Sequence, residues 1–482
     1  MLERRRTLCL ALAALALPAA GCSSEADPRP QVVIVVDTDA PLTGQALADP
    51  AISGDASVDT LRIDVFDDAG NAYDYRDFVA PSPDDWPISF GVAAPEGGGG
   101  GRVNLRIRLF RGGLATSQTL EGVIVLEPRR EIAIDRILEL DLPAEGVRTD
   151  AVLLSFDCLG ASPSFVAPRT TCIDAARPDA PAAGGISTPG DGAPPATRAG
   201  TSARAREVAC AGAAPPGAIC IPGGFSILGD AALWGIADGY LEDSLPLRPV
   251  IVSPFFLDET EVTVGRLRQL LQDGASVAPL PDLRAPADPL KQFCTFLGPD
   301  DPANDALPVN CVTWEASRRI CEAAGGSLPT EAQWEHAARG RGQARQYPWG
   351  DASPTCCAAS ASRASVAGVA IECQGSGVEP VGSHPVSDAC GGIGDVSRDG
   401  LLDLAGSVSE PLLDKIRPYG APCWGEGGIL VDPSCQDDEA SSRAARGGSW
   451  PSGLGTTLAA LRRSDVGKSP ADGLRCAYPG SP

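Results

Sequence analysis

Sixteen cysteines and two histidines bound the chemistry open to this chain of 482 residues. Zinc, iron and copper are held chiefly by imidazoles and thiolates. His336 and His384 are isolated, and two such residues make neither a three-histidine site nor a facial triad. No pair of Cys-x-x-Cys units has zinc-ribbon or zinc-finger spacing. Cys9 and Cys22 fall in the N-terminal segment, which leaves fourteen cysteines, an even number. Such a set in an oxidising compartment points to disulfides. Cys158–Cys172 and Cys210–Cys220 each close a short loop and are candidate local pairs, while the remaining connectivities stay open. Glu331 and Glu335 have the spacing of an acid pair on one helical turn. Glu331 also stands where a carboxylate complements a helix N-terminus, which is the preferred reading. His336 reads as a packed or surface histidine, and His384 lies in a Ser-His-Pro loop without a partner visible in the sequence.

The N-terminal segment and the overall charge set the compartment and the class of partner. Arg4, Arg5 and Arg6 precede an apolar run from Leu8 to Leu17, too short to span a bilayer. Ala19, Ala20 and Gly21 then lead to Cys22, a pattern that resembles a lipobox. The expectation is a signal peptide over 1–22 with Cys22 carrying membrane lipid; the rival is an ordinary secretory signal cut near Ala20. Ser23, by analogy with envelope lipoproteins, favours the outer over the inner membrane. No later segment is long and apolar enough to cross a membrane, so the rest is expected to be extracytoplasmic. The net charge of −23 repels phosphate backbones and argues against nucleic-acid partners.

Hydrophobic residues make up 43% of the chain, enough for packed cores, and 55 Gly with 44 Pro imply long loops. Residues 23–30 read as a polar tether and 31–177 as an all-β domain. Val103, Leu105, Ile107 and Leu109 alternate with Asn104, Arg106 and Arg108, a strand with one wet face, and Leu61, Ile63 and Val65 repeat the pattern. Further strands are expected at Val32–Val36, Val123–Leu126, Ile132–Ile134, Leu138–Leu142 and Val152–Phe156, with turns at Asp68–Asn71 and Gly97–Gly101. Some seven short strands suggest an immunoglobulin-like β-sandwich. Residues 178–207, rich in Pro, Gly, Ala, Ser and Thr, read as a linker giving reach to a C-terminal domain over 208–482.

In that C-terminal part, Thr330 followed by Gln333 is a capping-box pattern. Trp334, Ala337 and Ala338 then share one helical face, and Gly340 ends the helix. Helices are also expected near Val264–Gln272, with Leu267, Leu270 and Leu271 inward, and near Glu315–Ala324, with Ile320 and Cys321 inward. Around them runs an ordered series: Ile221–Phe225, Pro254–Asp258 with Glu261-Val262-Thr263, Pro308–Trp314, Leu328–Glu335, Tyr347–Asp351, Val381–Ser383, Asp403–Glu410, Arg446–Trp450 and Leu474–Ala477. Each piece is weak alone. In this order the set resembles the formylglycine-generating-enzyme, or sulfatase-modifying-factor, domain family over the C-terminal part. The resemblance implies an α+β domain of C-type-lectin-like fold.

It also implies where chemistry would sit. The family's oxidase binds copper(I) with two cysteines five residues apart after the Gly-Gly-Ser-aromatic motif, and converts a cysteine in a Cys-x-Pro-x-Arg segment to formylglycine. The matching positions here are Ser452 and Thr457, beside Ser449 and Trp450, the other cleft candidates. Hydroxyls are hard, weak ligands, and no cysteine lies between Cys435 and Cys476 to replace them, so copper is not expected. A related branch takes histidines for iron from a helical domain, which this chain lacks. The family also holds calcium at a Gly-Asn-Val-Trp-Glu stretch, here Gly406-Ser407-Val408-Ser409-Glu410, so Gly406, Val408 and Glu410 are candidate calcium ligands. Ser407 and Ser409 depart from the pattern, and the family's second calcium site is not recognisable in Cys356–Val369. The expectation is therefore a membrane-anchored envelope lipoprotein whose C-terminal domain binds or scaffolds an envelope protein or glycan. The alternative is a divergent formylglycine-generating oxidase, or another enzyme using the same cleft.

Overall fold

The computed structural model describes residues 30–66, 72–93, 101–120, 123–187, 198–231, 244–356, 359, 363–366, 369–372, 377–465 and 467–480. Cys22, the signal segment, the turn at Asp68–Asn71 and most of Gly97–Gly101 lie outside them. The N-terminal part comprises β1 (Gln31–Thr38), α1 (Thr43–Ala48), β2 (Thr60–Phe66), β3 (Ala72–Val79), β4 (Ile88–Ala93), β5 (Arg102–Phe110), β6 (Thr116–Leu120), β7 (Val123–Glu127), β8 (Ile134–Asp141) and β9 (Val147–Leu154). Short strands β10 (Thr170–Thr171), β11 (Ala180–Pro181) and β12 (Ile186–Ser187) follow.

Two four-stranded sheets result, ordered β12-β9-β1-β4 and β3-β2-β5-β8. β1 runs parallel to β9 and antiparallel to β4, whereas every pairing in the second sheet is antiparallel. Alternation places Val32, Ile34 and Val36 of β1 in one core with Leu61 and Ile63 of β2 and Leu105, Ile107 and Leu109 of β5. Of Ile132–Ile134 and Leu138–Leu142, expected as two strands, Ile132 falls in a 3-10 turn, while Ile134 and Leu138 to Asp141 belong to the single strand β8. Its ladder with β5 is continuous from Leu109–Ile134 to Arg102–Asp141. The expected wet face is covered as well: Arg62 and Arg108 are buried beneath the hairpin β6–β7. Arg62 donates to both oxygens of Asp77 and to Leu126 O, and Arg108 pairs with Asp64 and Glu127. Burial of these guanidinium groups is tolerated because each is paired and hydrogen-bonded.

Residues 178–207 differ from a free spacer at both described ends. β11 and β12 are paired into sheets, and Gly200 and Ser202 donate to the carbonyls of Ala40 and Asp39. Glu207 donates to Ala51 O, and Ala205 is buried in the N-terminal core. Main-chain hydrogen bonds and small apolar side chains thus supply the binding that composition alone conceals.

The C-terminal part contains β13 (Ala218–Ile221), β14 (Gly224–Leu228), β15 (Arg248–Val252), β16 (Phe255–Asp258), α2 (Val264–Gln272), α3 (Trp314–Ala323), α4 (Glu331–Ala338), β17 (Arg363–Val366) and β18 (Val369–Glu372). It continues with β19 (Glu410–Lys415), β20 (Leu430–Val431), β21 (Arg443–Arg446), β22 (Arg463–Ser464) and β23 (Ala477–Pro479). The strands form small sheets, β13-β16-β23, β14-β15-β20 and β19-β21-β22, joined by long loops. The three helices fall where periodicity and capping place them. Thr263, Thr313 and Thr330 each accept a main-chain N–H at the N-terminus, and Thr330 with Gln333 completes the capping box.

The two parts share one core. Phe225, Ile227 and Leu247 pack into the N-terminal cluster, and the Phe225 ring lies 5.3 Å from that of Phe156. Asp55 donates its N–H to Gly342 O and accepts the Ile227 N–H. Among the described residues, no helix is long and apolar enough to cross a membrane. Twelve described cysteines are disulfide-bonded. Cys158–Cys172 and Cys210–Cys220 are present as expected, with Cys294–Cys311, Cys321–Cys476 and Cys423–Cys435.

Candidate functional site

The motif after β21 begins with two glycines in left-handed conformation, Gly447 at φ 92° and Gly448 at φ 76°. A Cβ on Gly448 would stand 2.8 Å from Thr456 O, so only glycine lets the chain turn here against the loop it faces. The turn carries Ser449 inward, where its Oγ lies 3.0 Å from Ser452 Oγ, and Arg463 approaches it at 3.5 Å. Trp450 is clamped by its N–H to Ser407 O and its indole N–H to Pro470 O, and its ring packs on Phe293. Thr457 ends a short 3-10 turn and is buried, and the backbone of β17 passes against that turn. The cleft candidates thus occupy one neighbourhood, walled by an aromatic pair. Its atoms near the matched copper positions are hydroxyl oxygens, a donor set that does not suit copper(I). Along its edge, Asp472 is paired through the backbone with Ser409, and its Oδ2 is buried without a hydrogen-bond partner. Burial pushes this carboxyl up to about 7, with Asp465 adding repulsion and Ser469 opposing.

Beside this cluster, where Trp450 donates to Ser407 O, the expected calcium stretch turns through Gly406 at φ 91° and Ser407 at φ 52°. Glu410 is not the open ligand expected. Arg475 donates to its Oε1 at 2.8 Å and the Trp334 indole N–H to its Oε2 at 2.6 Å, with both charged groups fully buried. The carboxyls with spare capacity are others. Glu261 Oε2 and Asp395 Oδ1 are buried without hydrogen-bond partners, and Asp403 accepts the Gly382 N–H. Burial, reinforced by Asp403, holds Glu261 and Asp395 well above the usual carboxylate range, and burial raises Asp403 too. Four acids facing chiefly one guanidinium, Arg475, need protons or a cation to balance them. The surplus oxygen donors and negative charge are of the kind a hard dication such as calcium takes, and one or two of Glu261, Asp395 and Asp403, rather than Glu410, could contribute to holding it. Main-chain oxygens would have to complete such a site, since among the described residues no three acidic, imidazole or thiol groups converge as a ligand set. Sequence reading missed these three acids. The one signal was Asp403 standing inside the apolar run Leu401–Ala405.

Glu331 stands in the first turn of α4, as expected, but it and Glu335 are not an acid pair: both are neutralised by arginines. Arg446 pairs with both at 2.8 and 2.7 Å, Arg462 pairs with Glu331, and Tyr419 donates to Glu335. All five side chains are buried, and the two arginines hold Glu331 below its ordinary range despite burial. His336 is buried: Nε2 lies 3.0 Å from Pro222 O, which only accepts, so Nε2 carries the proton and Nδ1 accepts from Ser226 Oγ at 2.6 Å. Burial drives it down to about 4, so it is neutral. His384 does have a partner, Glu379, at 2.7 Å.

Comparison with known proteins places this geometry. A family model described as the sulfatase-modifying factor enzyme 1-like domain matches residues 205–479. The formylglycine-generating enzyme of Streptomyces coelicolor is 31% identical over 163 residues, 28% of this chain and 51% of that protein. The hercynine oxygenase of Mycolicibacterium smegmatis is 25% identical over 293 residues, 54% of this chain and 60% of that protein. The chain thus spans about half the length of these curated relatives. Among solved structures, PvdO from Pseudomonas aeruginosa aligns over 54% of this chain and 94% of its own, at 18% identity and a TM-score of 0.40. Because the family match covers more than half of the chain and includes every motif from Ile221 to Ala477, the chain belongs to the sulfatase-modifying factor, or formylglycine-generating-enzyme, family.

Proposed function

We propose that this chain is an extracytoplasmic lipoprotein, anchored through Cys22 to the outer rather than the inner membrane, whose family domain binds or scaffolds an envelope protein or glycan. The observation that carries this reading is the pair Ser452 and Thr457, hydroxyls where the family's oxidase has copper thiolates. Neither position is a thiol, and the chain's only methionine is Met1. The N-terminal sheets fit an immunoglobulin-like sandwich, with the parallel β1–β9 pair at the centre of one sheet. Calcium near Glu261, Asp395 and Asp403 would be structural, offsetting their mutual repulsion.

The second reading, a divergent oxidoreductase of the same cleft, draws on the activities named for the Streptomyces and mycobacterial relatives. One experiment separates the two. The full chain, loaded with copper under reducing conditions, is expected neither to retain one tightly bound ion nor to oxidise a Cys-x-Pro-x-Arg peptide. Stoichiometric copper together with conversion of the peptide thiol to an aldehyde would promote the oxidase. Fatty-acid labelling should mark the wild type and not Cys22→Ser; equal labelling of both refutes the anchor. Calcium is expected to raise the melting temperature over a chelated sample, and an unchanged melt removes it from the assignment.

A further inference from the structure

A cavity of about 250 Å³ opens between the two parts of the chain, on the side where Asp55 meets Ile227. Asp55, Leu114 and Arg129 line it from the N-terminal part, and Ile227, Leu247 and Arg339 from the family domain. It lies apart from the Ser449 cleft, and neither domain forms it alone. Boundaries between domains are favoured places for small-molecule sites, and the volume falls just below the ~300–1,000 Å³ of pockets that hold drug-sized ligands. The occupant is therefore small.

The lining is chemically asymmetric. Arg129 donates through Nε to Leu114 O at 3.1 Å and meets a carboxylate, Glu131, only at 4.0 Å. Its guanidinium is partly exposed and keeps donors that suit a carboxylate. Arg339 is spent: it bonds the carbonyls of Gly229 and Ala344 and the carboxylates of Glu335 and Asp230. Asp55, buried at the floor, accepts the Ile227 N–H through Oδ2 alone among the contacts described. Arg339 and Arg111 attract its charge and Glu335 repels it. Burial outweighs these and leaves the carboxyl above its ordinary range, an acid that a cationic partner would relieve. Leu114, Ile227 and Leu247 supply an apolar wall.

We infer that this interdomain cavity binds a small zwitterion of the amino-acid class, its carboxylate on Arg129, its ammonium toward Asp55 and its apolar side chain against Leu114, Ile227 and Leu247. The site is independent of whether the Ser449 cleft is catalytic.

The full chain in detergent is titrated calorimetrically with L-leucine, L-valine and L-methionine, and with N-acetylleucine and leucinamide, each lacking one of the two charges. One saturable event per chain is expected for at least one free amino acid, with affinity falling about tenfold or more for both blocked forms, as loss of a charged hydrogen bond implies. Arg129→Gln, a partly exposed position, should keep the melting temperature and lose about tenfold in affinity. Ala115→Trp, which fills the cavity from its wall, should abolish the event. If Ala115→Trp unfolds, Arg129→Gln alone decides. The inference is overturned by no saturable binding of any free amino acid at millimolar concentration, by blocked forms that bind as well as free ones, or by wild-type affinity in Arg129→Gln.

Discussion

Asp472 shows at the residue scale how a buried group can work against stability. Its Oδ2 has no partner, and its carboxyl titrates near 7 rather than at 3.8. A carboxyl whose folded value is raised favours folding while protonated. Its contribution is full below about pH 4 and is lost as pH rises through about 7. Asp472→Asn keeps the shape and removes the titration. The variant is expected to melt above the wild type beyond about pH 7 and to converge with it near pH 4. A difference in melting temperature that does not vary with pH would refute the assignment. His336 has the opposite sign: with its value depressed to about 4, its stabilisation is present above about 6.5 and fades on acidification. Neither behaviour was legible in the sequence, because an Asp or His titrates according to what surrounds it and not to its immediate neighbours in the chain.

Elements carry a second lesson. α2, α3 and α4 were readable because their signals are local: apolar residues at helical spacing in all three, and for α4 also a threonine cap and a glycine stop. What fastens them was not. α3 is stapled to the C-terminal strand by Cys321–Cys476, which closes a loop of 155 residues, and Cys476 lies beside the Arg475–Glu410 pair. Replacing both cysteines by serine is expected to cost about 2–5 kcal/mol in denaturant unfolding. An unchanged midpoint would show that the bridge is redundant with packing. α4 is fastened by Arg446 and Arg462, which arrive from more than a hundred residues away to neutralise Glu331 and Glu335. Seen locally, Glu331 is only an acid at the start of a helix. Its real partners become visible when β21 and the following loop fold over that helix.

For the whole molecule, the N-terminal sheets and the family domain are joined by a common core rather than by reach. Phe225, Ile227 and Leu247 are buried against the N-terminal cluster. A fragment beginning at residue 208 would expose part of their surface, at a cost of up to about 1.5–3 kcal/mol for each side chain fully uncovered. It is expected to melt below the full chain and to bind a hydrophobic dye that the full chain does not. A fragment matching the full chain in both respects would show that the domains are independent. The linker reading of 178–207 erred because composition measures how much apolar surface a segment owns. It does not register the main-chain donors with which Gly200, Ser202 and Glu207 engage the neighbouring strands.

The sequence by itself determined the family, the three helices, two short-range disulfides and the absence of thiols at Ser452 and Thr457, since each depends on residue types at local or ordered spacing. Tertiary structure alone decided that Glu410 is committed to Arg475 and Trp334, and that Glu261, Asp395 and Asp403 crowd together without matching cations. It also decided that the two parts enclose a cavity. These features arise between residues up to several hundred positions apart. Their energies come from desolvation and charge pairing, which are set by where the folded chain excludes water and not by the order of its residues.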